Sequence, residues 1–290
     1  SKIYACQRMQ TNASGNDMPC VIDDDIKSCF KYDEFLGWSC GGLGCFFASF
    51  ENYRKFFVEA IMFENIEQIT FVSGFDGTEQ TYLIRKPASF QYQGIVIFLH
   101  GATNHQEQGL NRQIFNGTFG KLQDYFMGKN YVYVCPEYRG DSWMNQEAEY
   151  DLRFLIEQLT KDFRTSRVLL MGGSMGGTSS LIFATRNPHL VSSCLALCPA
   201  TDMKKLYYFW HGTERDFLAK TIEIAYGGTP EKRSEQYKER SGIYFVEKLR
   251  SMPVAIIHGD MDMVIPVEHS REFVEKAKQT GVRIFYQEIK

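Results

Sequence analysis

Apolar residues in this chain fall into short unbroken runs that alternate with stretches where they recur every three or four positions. Gly94 to His100 (GIVIFLH), Tyr131 to Cys135, Val168 to Gly172, Val191 to Cys198 and Val254 to His258 are runs of the length and content of buried strands. Between them, Leu110 to Met127, Asn145 to Asp162 and Val267 to Thr280 carry helical periodicity. In the second of these, Ala148, Leu152, Leu155, Ile156 and Leu159 form one stripe. A last strand is expected over Val282 to Ile289. Upstream, Ile66 to Ser73 and Gln80 to Lys86 flank the turn Gly74-Phe75-Asp76-Gly77 as a hairpin, and Phe56, Phe57, Ala60 and Ile61 predict a helix over Tyr53 to Phe63. Regular strand–helix alternation predicts an α/β fold whose mostly parallel sheet is covered by helices on both faces.

Two stretches break the pattern. Residues 1–50 are polar, glycine-spotted and poorly periodic, and hold five of the eight cysteines (Cys6, Cys20, Cys29, Cys40, Cys45). They read as a separate N-terminal appendage to a domain spanning 51–290. A disulfide-stapled appendage implies an oxidising, secreted or periplasmic setting, and a handful of free thiols is the alternative. Residues 199–250 are helical and aromatic, and an insertion above the C-terminal strand ends reads as a cap over a ligand site. Most of its aromatics are expected to be core, with one or two of Tyr207 to Trp210, Trp210 among them, lining the pocket.

Charge narrows the function classes. The net charge is −3 with no block of like charges, so neither nucleic acid nor an anionic membrane surface is an expected partner. No apolar run reaches the ~18 residues of a membrane span. There is no apolar signal-peptide core, and a leader already removed would leave no trace. No metal-ligand cluster, phosphate-binding loop or dinucleotide fingerprint is present, so no cofactor is expected.

The chemistry centres on Gly172-Gly173-Ser174-Met175-Gly176. A serine between a strand and a helix, with glycines two places either side, is the G-x-S-x-G elbow, which lifts a hydroxyl clear of the sheet on a strained turn. The Met175 N–H, at the start of the following helix, is free to donate to an oxyanion. After an earlier strand, His100-Gly101-Ala102-Thr103 offers a second such N–H, from Ala102. Two acids follow the strand ending at His258: Asp262, where the loop turns back, is the candidate to orient a histidine, and Asp260 the candidate to cap the turn. Tyr138 and Arg139 lie at a strand end facing the pocket and His105 lies in the oxyanion-side loop, so all three are candidate substrate contacts. For Arg139, an internal pair with Asp141 or Glu137 is the competing reading.

Together GGSMGG, HGAT and HGDMDMVIP resemble the α/β-hydrolase superfamily, and Pro136 to Trp143 (PEYRGDSW) is similar to the YRGS segment of its prolyl-oligopeptidase-like branch. The resemblance runs from about Ile66 to Lys290. It implies an eight-stranded sheet, Ser174 as nucleophile, Asp262 as triad acid, and Ala102 and Met175 as oxyanion donors. It also implies a catalytic histidine just after the last strand, and none stands there. The histidine is therefore expected just beyond Lys290, with recruitment of His269 or His105, or loss of catalysis, as alternatives. With no room for the propeller domain of true oligopeptidases, the expected substrate is a small carboxylic ester. A small peptide or amide is the alternative substrate, and a non-catalytic ligand-binding protein the alternative class.

Overall fold

The computed structural model describes residues 66–114 and 117–290; the cysteine-rich stretch 1–50 and the expected helix 53–63 lie outside the described residues. The strands, in chain order, are β1 (Ile66–Val72), β2 (Glu79–Arg85), β3 (Gly94–Leu99), β4 (Tyr131–Pro136), β5 (Val168–Gly173), β6 (Ser193–Leu197), β7 (Val254–Gly259) and β8 (Ile284–Ile289). They form one eight-stranded sheet in the order β1-β2-β4-β3-β5-β6-β7-β8. The β1–β2 and β2–β4 pairs are antiparallel and every other pair is parallel. β3, β5 and β6 are buried along their whole length, which is why their sequences show no polar face. β1, at the sheet edge, is half-buried only at Ile66, Ile69 and Phe71 and exposed elsewhere.

Side-chain alternation divides this sheet between two cores. In β3, Ile95, Ile97 and Leu99 join one core, whereas Val96 and Phe98 join the other. Helix α1 (Thr118–Gly128) covers the second face with Phe119, Leu122 and Phe126. The first face is covered by α2 (Gln146–Asp162) and α3 (Met175–Arg186), whose Leu152, Ile156, Ile182 and Phe183 are buried there. Asn145 starts α2 by accepting the Ala148 amide at 3.0 Å.

Two helix starts differ from the periodicity. Helix α1 begins at Thr118, not near Leu110: Asn111 takes the amides of Gln113 and Ile114, and Gly117 sits at φ 74°, outside helical space. Helix α3 begins at Met175, three residues ahead of the small-and-apolar segment Thr178 to Arg186, so that Gly176 and Gly177 lie inside it. Glycine is a poor helix former by propensity, but tertiary approach selects it here. A Cβ on Gly176 would strike the Leu99 carbonyl oxygen, and one on Gly177 would lie 2.7 Å from that of Leu197.

Between β6 and β7 the chain inserts α4 (Met203–Trp210), α5 (Asp216–Tyr226) and α6 (Ser234–Glu239). Leu206, Tyr207 and Trp210 are buried at helical spacing, and Tyr208 and Phe209 are exposed. A buried ion pair fastens this insertion to the sheet's helices: Arg240 Nη1 lies 2.5 Å from Glu149 Oε2, which also accepts from Arg186 Nε at 2.8 Å. Burial alone raises the Glu149 carboxyl, yet the two arginines and the Asn187 amide outweigh it and hold the group below its ordinary range. After β7, α7 (Glu268–Gln279) packs Phe273, Val274 and Ala277 onto the same core. No helix among the described residues is long and apolar enough to cross a membrane.

Candidate active site

The elbow sits where β5 passes into α3. Ser174 has φ 57° and ψ −121°, a left-handed conformation that L-residues avoid. Its amide donates to the Leu197 carbonyl at 2.9 Å, and its own carbonyl accepts from the Thr178 amide at 2.9 Å and hydroxyl at 3.0 Å. The Thr178 hydroxyl in turn accepts from the Ala200 amide at 2.8 Å, tying the elbow to the loop after β6. Ser174 is half-buried while its neighbours in 171–180 are fully buried, so the strained turn exposes its hydroxyl.

The flanking glycines are a steric requirement. A Cβ on Gly172 would meet the Leu99 carbonyl and lie 2.7 Å from the Gly176 carbonyl carbon, and one on Gly176 would meet Leu99 and lie 2.9 Å from the His100 carbonyl. Backbone cannot retreat as a flexible side chain can, so Gly176→Ala is expected to destabilise the fold by about 3 kcal/mol. Urea denaturation of the variant measures this, and an unchanged midpoint would contradict the packing.

Two amides of the segments that meet here have no acceptor among the described residues. The Met175 amide opens α3, where the helix supplies no partner and its dipole favours negative charge. The Ala102 amide belongs to the loop after β3, where Gly101 N donates to Gln108 Oε1 and Thr103 N to Asp141 Oδ1, each at 2.6 Å. The loop thus engages its outer two amides and leaves the middle one.

Asp262 lies in the loop after β7. Its Oδ1 accepts from the amides of Val264 at 2.8 Å and Ile265 at 2.9 Å, which fixes the carboxylate and leaves Oδ2 to other partners. Asp260 contributes its backbone, the amide donating to the Ile289 carbonyl at 2.8 Å and joining the loop to the end of β8. Strand order sets the separation: β6 lies between β5 and β7, so Ser174 and Asp262 leave strands whose axes are roughly 10 Å apart at about 4.8 Å per strand.

Residue spacing did not foretell that Cys198, His258 and Asp262 meet, with one donor atom of each within 4.8 Å of the others. The contact arises because β6 and β7 end side by side. His258 Nε2 faces two oxygens, Ile265 O at 2.9 Å and Asp262 Oδ2 at 3.5 Å, so this nitrogen carries the proton. Nδ1 then accepts from the Ser270 hydroxyl, 2.7 Å away. Burial, with the nearby Asp262 charge second, pushes the Cys198 thiol far up. The trio is a hydrogen-bonded support for the loop, and a metal would have to displace the proton that binds His258 to it.

The chain has six histidines, and none is hydrogen-bonded to Ser174. His100 is buried between two carbonyls, with Gly101 O 2.9 Å from Nδ1 and Glu137 O 2.9 Å from Nε2. His105 pairs through Nδ1 with Glu137 at 2.7 Å. His189 is exposed, and His211 stacks on Tyr207 and pairs with Asp216 at 3.0 Å. His269 is buried, its Nδ1 accepting the amides of Thr201 at 3.3 Å and Asp202 at 3.4 Å. Desolvation, then the charge of Lys205, pushes the His269 ring down to about 4. Folding therefore favours its neutral form, and this contribution is complete above the unfolded value of 6.5. It fades as pH falls from there toward 4, by about 3 kcal/mol in all. Urea midpoints measured from pH 7 to 4 should fall more steeply for the wild type than for His269→Asn, which keeps an acceptor for the two amides.

The remaining candidates are engaged within the protein. Tyr138 is buried and its hydroxyl donates to His100 O at 2.6 Å. Arg139 forms neither of the internal pairs expected from its neighbours. It reaches across to Asp151 and Asp76, each at 2.6 Å, and also donates to the Ser73 hydroxyl at 3.0 Å. These bonds pull Asp76 well below the carboxylate range and clamp the β1–β2 turn over α2. Trp210 is 1% exposed and donates from Nε1 to Val264 O at 2.8 Å, bracing the Asp262 loop from the insertion. Glu137 and Asp141, read from the sequence only as partners for Arg139, instead hold the loop after β3, because that contact depends on where strand order brings the two loops. Gln108, within that loop itself, is not singled out by the sequence.

With this geometry in place, the comparisons decide the family. Residues 118–289, more than half of the chain, match the prolyl oligopeptidase family. The chain belongs to that family. It has the α/β-hydrolase fold, as the GGSMGG, HGAT and HGDMDMVIP segments imply. Among its relatives, a Bacillus subtilis protein named "Uncharacterized peptidase YtmA" is 27% identical over 162 residues, 53% of this chain and 61% of the relative. "Dipeptidyl peptidase family member 6" of Caenorhabditis elegans is 20% identical over 204 residues, 67% of this chain but 27% of the relative. The chain thus spans less than two thirds of either protein. Solved structures of the same fold include a thermostable esterase (TM-score 0.57, 18% identity, 79% of this chain and 55% of that one). An acylaminoacyl peptidase of Pyrococcus horikoshii gives a TM-score of 0.59 at 16% identity, over 80% of this chain and 38% of that one.

Proposed function

We propose that this family member hydrolyses small acyl substrates through an acyl-enzyme on Ser174, in which Asp262 orients a histidine supplied from beyond Lys290. The observation that carries the reading is the half-buried Ser174 on its strained turn, two strands from a carboxylate fixed by two amides. Ser174 attacks the carbonyl carbon while the histidine takes its proton, and the Met175 and Ala102 amides hold the oxyanion. The histidine then protonates the leaving group, and water releases the acyl chain by the same steps in reverse. The helical insertion 199–250 acts as a cap over this edge of the sheet.

Short peptides and aminoacyl amides are the first substrate class to test, since both matched relatives are peptidases by name. A small carboxylic ester is the second reading, in keeping with an esterase among the structures of the same fold. Comparing kcat/KM for an aryl ester with that for an aminoacyl anilide separates them.

Fluorophosphonate labelling, read by intact mass, tests the chemistry. The 290-residue chain and the natural full-length protein are compared, and only the latter is expected to react at Ser174. Labelling of both would move the base to a histidine within these residues, with His105 the first candidate because its side chain is exposed. If neither reacts, the non-catalytic ligand-binding reading replaces this one.

A further inference from the structure

We infer that Asp141 and Gln108 are positioning residues that aim the Ala102 amide at the oxyanion. The inference rests on the Ser174 acyl-enzyme reading and adds two side chains to it. The geometry is that of one peptide plane held from three sides. The Ala102 N–H shares a rigid plane with the Gly101 carbonyl and points away from it. That carbonyl faces His100 Nδ1 at 2.9 Å and accepts the Asn104 amide at 3.3 Å, so the back of the plane is fixed. The preceding plane is fixed by Gln108 Oε1 on Gly101 N, and the following plane by Asp141 Oδ1 on Thr103 N.

Strain locates the need for the second clamp. Thr103 has φ 61°, a conformation that a β-branched residue adopts only when something holds it there. The short bond to Asp141 restrains it together with Asn104, whose Nδ2 donates to the Ala102 carbonyl at 3.0 Å, and a relaxed Thr103 would turn the loop and swing the 101–102 plane with it. The segment after β4 meets this loop elsewhere too, through Glu137 O on His100 Nε2, Glu137 Oε2 on the Gln106 amide and the Tyr138 hydroxyl on His100 O. Of these contacts only Asp141 reaches residues 101–103. Neither Asp141 nor Gln108 needs to touch substrate for this role.

The test uses the natural full-length enzyme and whichever acyl substrate it turns over. Asp141→Ala is expected to lower kcat by about 10- to 100-fold, part of what a whole oxyanion donor contributes, with KM changed less than about threefold. Asp141→Asn keeps the Oδ1 acceptor and should restore most of the loss, which a need for the charge would not allow. Gln108→Ala gives a second, independent reading should Asp141→Ala fold poorly, and it should show the same split between kcat and KM. Because both clamps serve one amide, the double variant should fall well short of the product of the two single losses. Full kcat in both single variants, or a rise confined to KM, would overturn the inference while Ser174→Ala remained inactive. A protein that neither turns over substrate nor labels at Ser174 fails the parent reading instead.

Discussion

Ser174→Ala is expected to lower kcat by about six orders of magnitude, the size of loss seen when a triad serine is removed elsewhere. The fold should be indifferent to the change. The Ser174 hydroxyl makes no hydrogen bond among the described residues, while the turn is held through the Ser174 backbone and through Gly172 and Gly176. Alanine inherits the same φ of 57°, so the melting temperature should move by no more than surface substitutions usually cause. Glycine at the same position would relieve the strain and raise stability while abolishing turnover. Measuring kcat and melting temperature together on the two variants separates chemistry from scaffold. Substantial turnover by the alanine variant would remove Ser174 from the mechanism.

Asp262→Asn is the second large effect. Asparagine keeps an oxygen for the Val264 and Ile265 amides, so the loop should hold its shape, but the charge that steadies a histidinium is gone. The expected fall in kcat is about 10⁴-fold with little change in unfolding midpoint. Asp262→Ala should add a stability loss of about 1–2 kcal/mol as two amides lose their acceptor. A fall of only a few-fold in the asparagine variant would shift the role to another acid, with Asp260 next in the same loop. The His258–Cys198 support behind the carboxylate holds the loop itself in place, because His258 is fully buried and bonded on both ring nitrogens.

The amino-acid sequence by itself determined the sheet, the elbow and the acid loop. Unbroken apolar runs exist because strands buried on both faces have no polar side to show, so β3, β5 and β6 were legible at nearly their observed bounds. The spacing around Ser174 was legible because only glycine fits where the Leu99 carbonyl passes, so the steric demand is written as residue identity. Tertiary structure alone decided what the polar side chains do. Arg139 bonds Asp76, 63 positions away, and Asp141 holds the amide of Thr103 across 38. Cys198 meets His258 and Asp262 only because β6 and β7 end together. Local sequence records backbone periodicity and steric exclusion, which act over a few residues. A hydrogen bond between loops depends on where strand order delivers each loop, and the order β1-β2-β4-β3-β5-β6-β7-β8 is fixed by packing the whole chain.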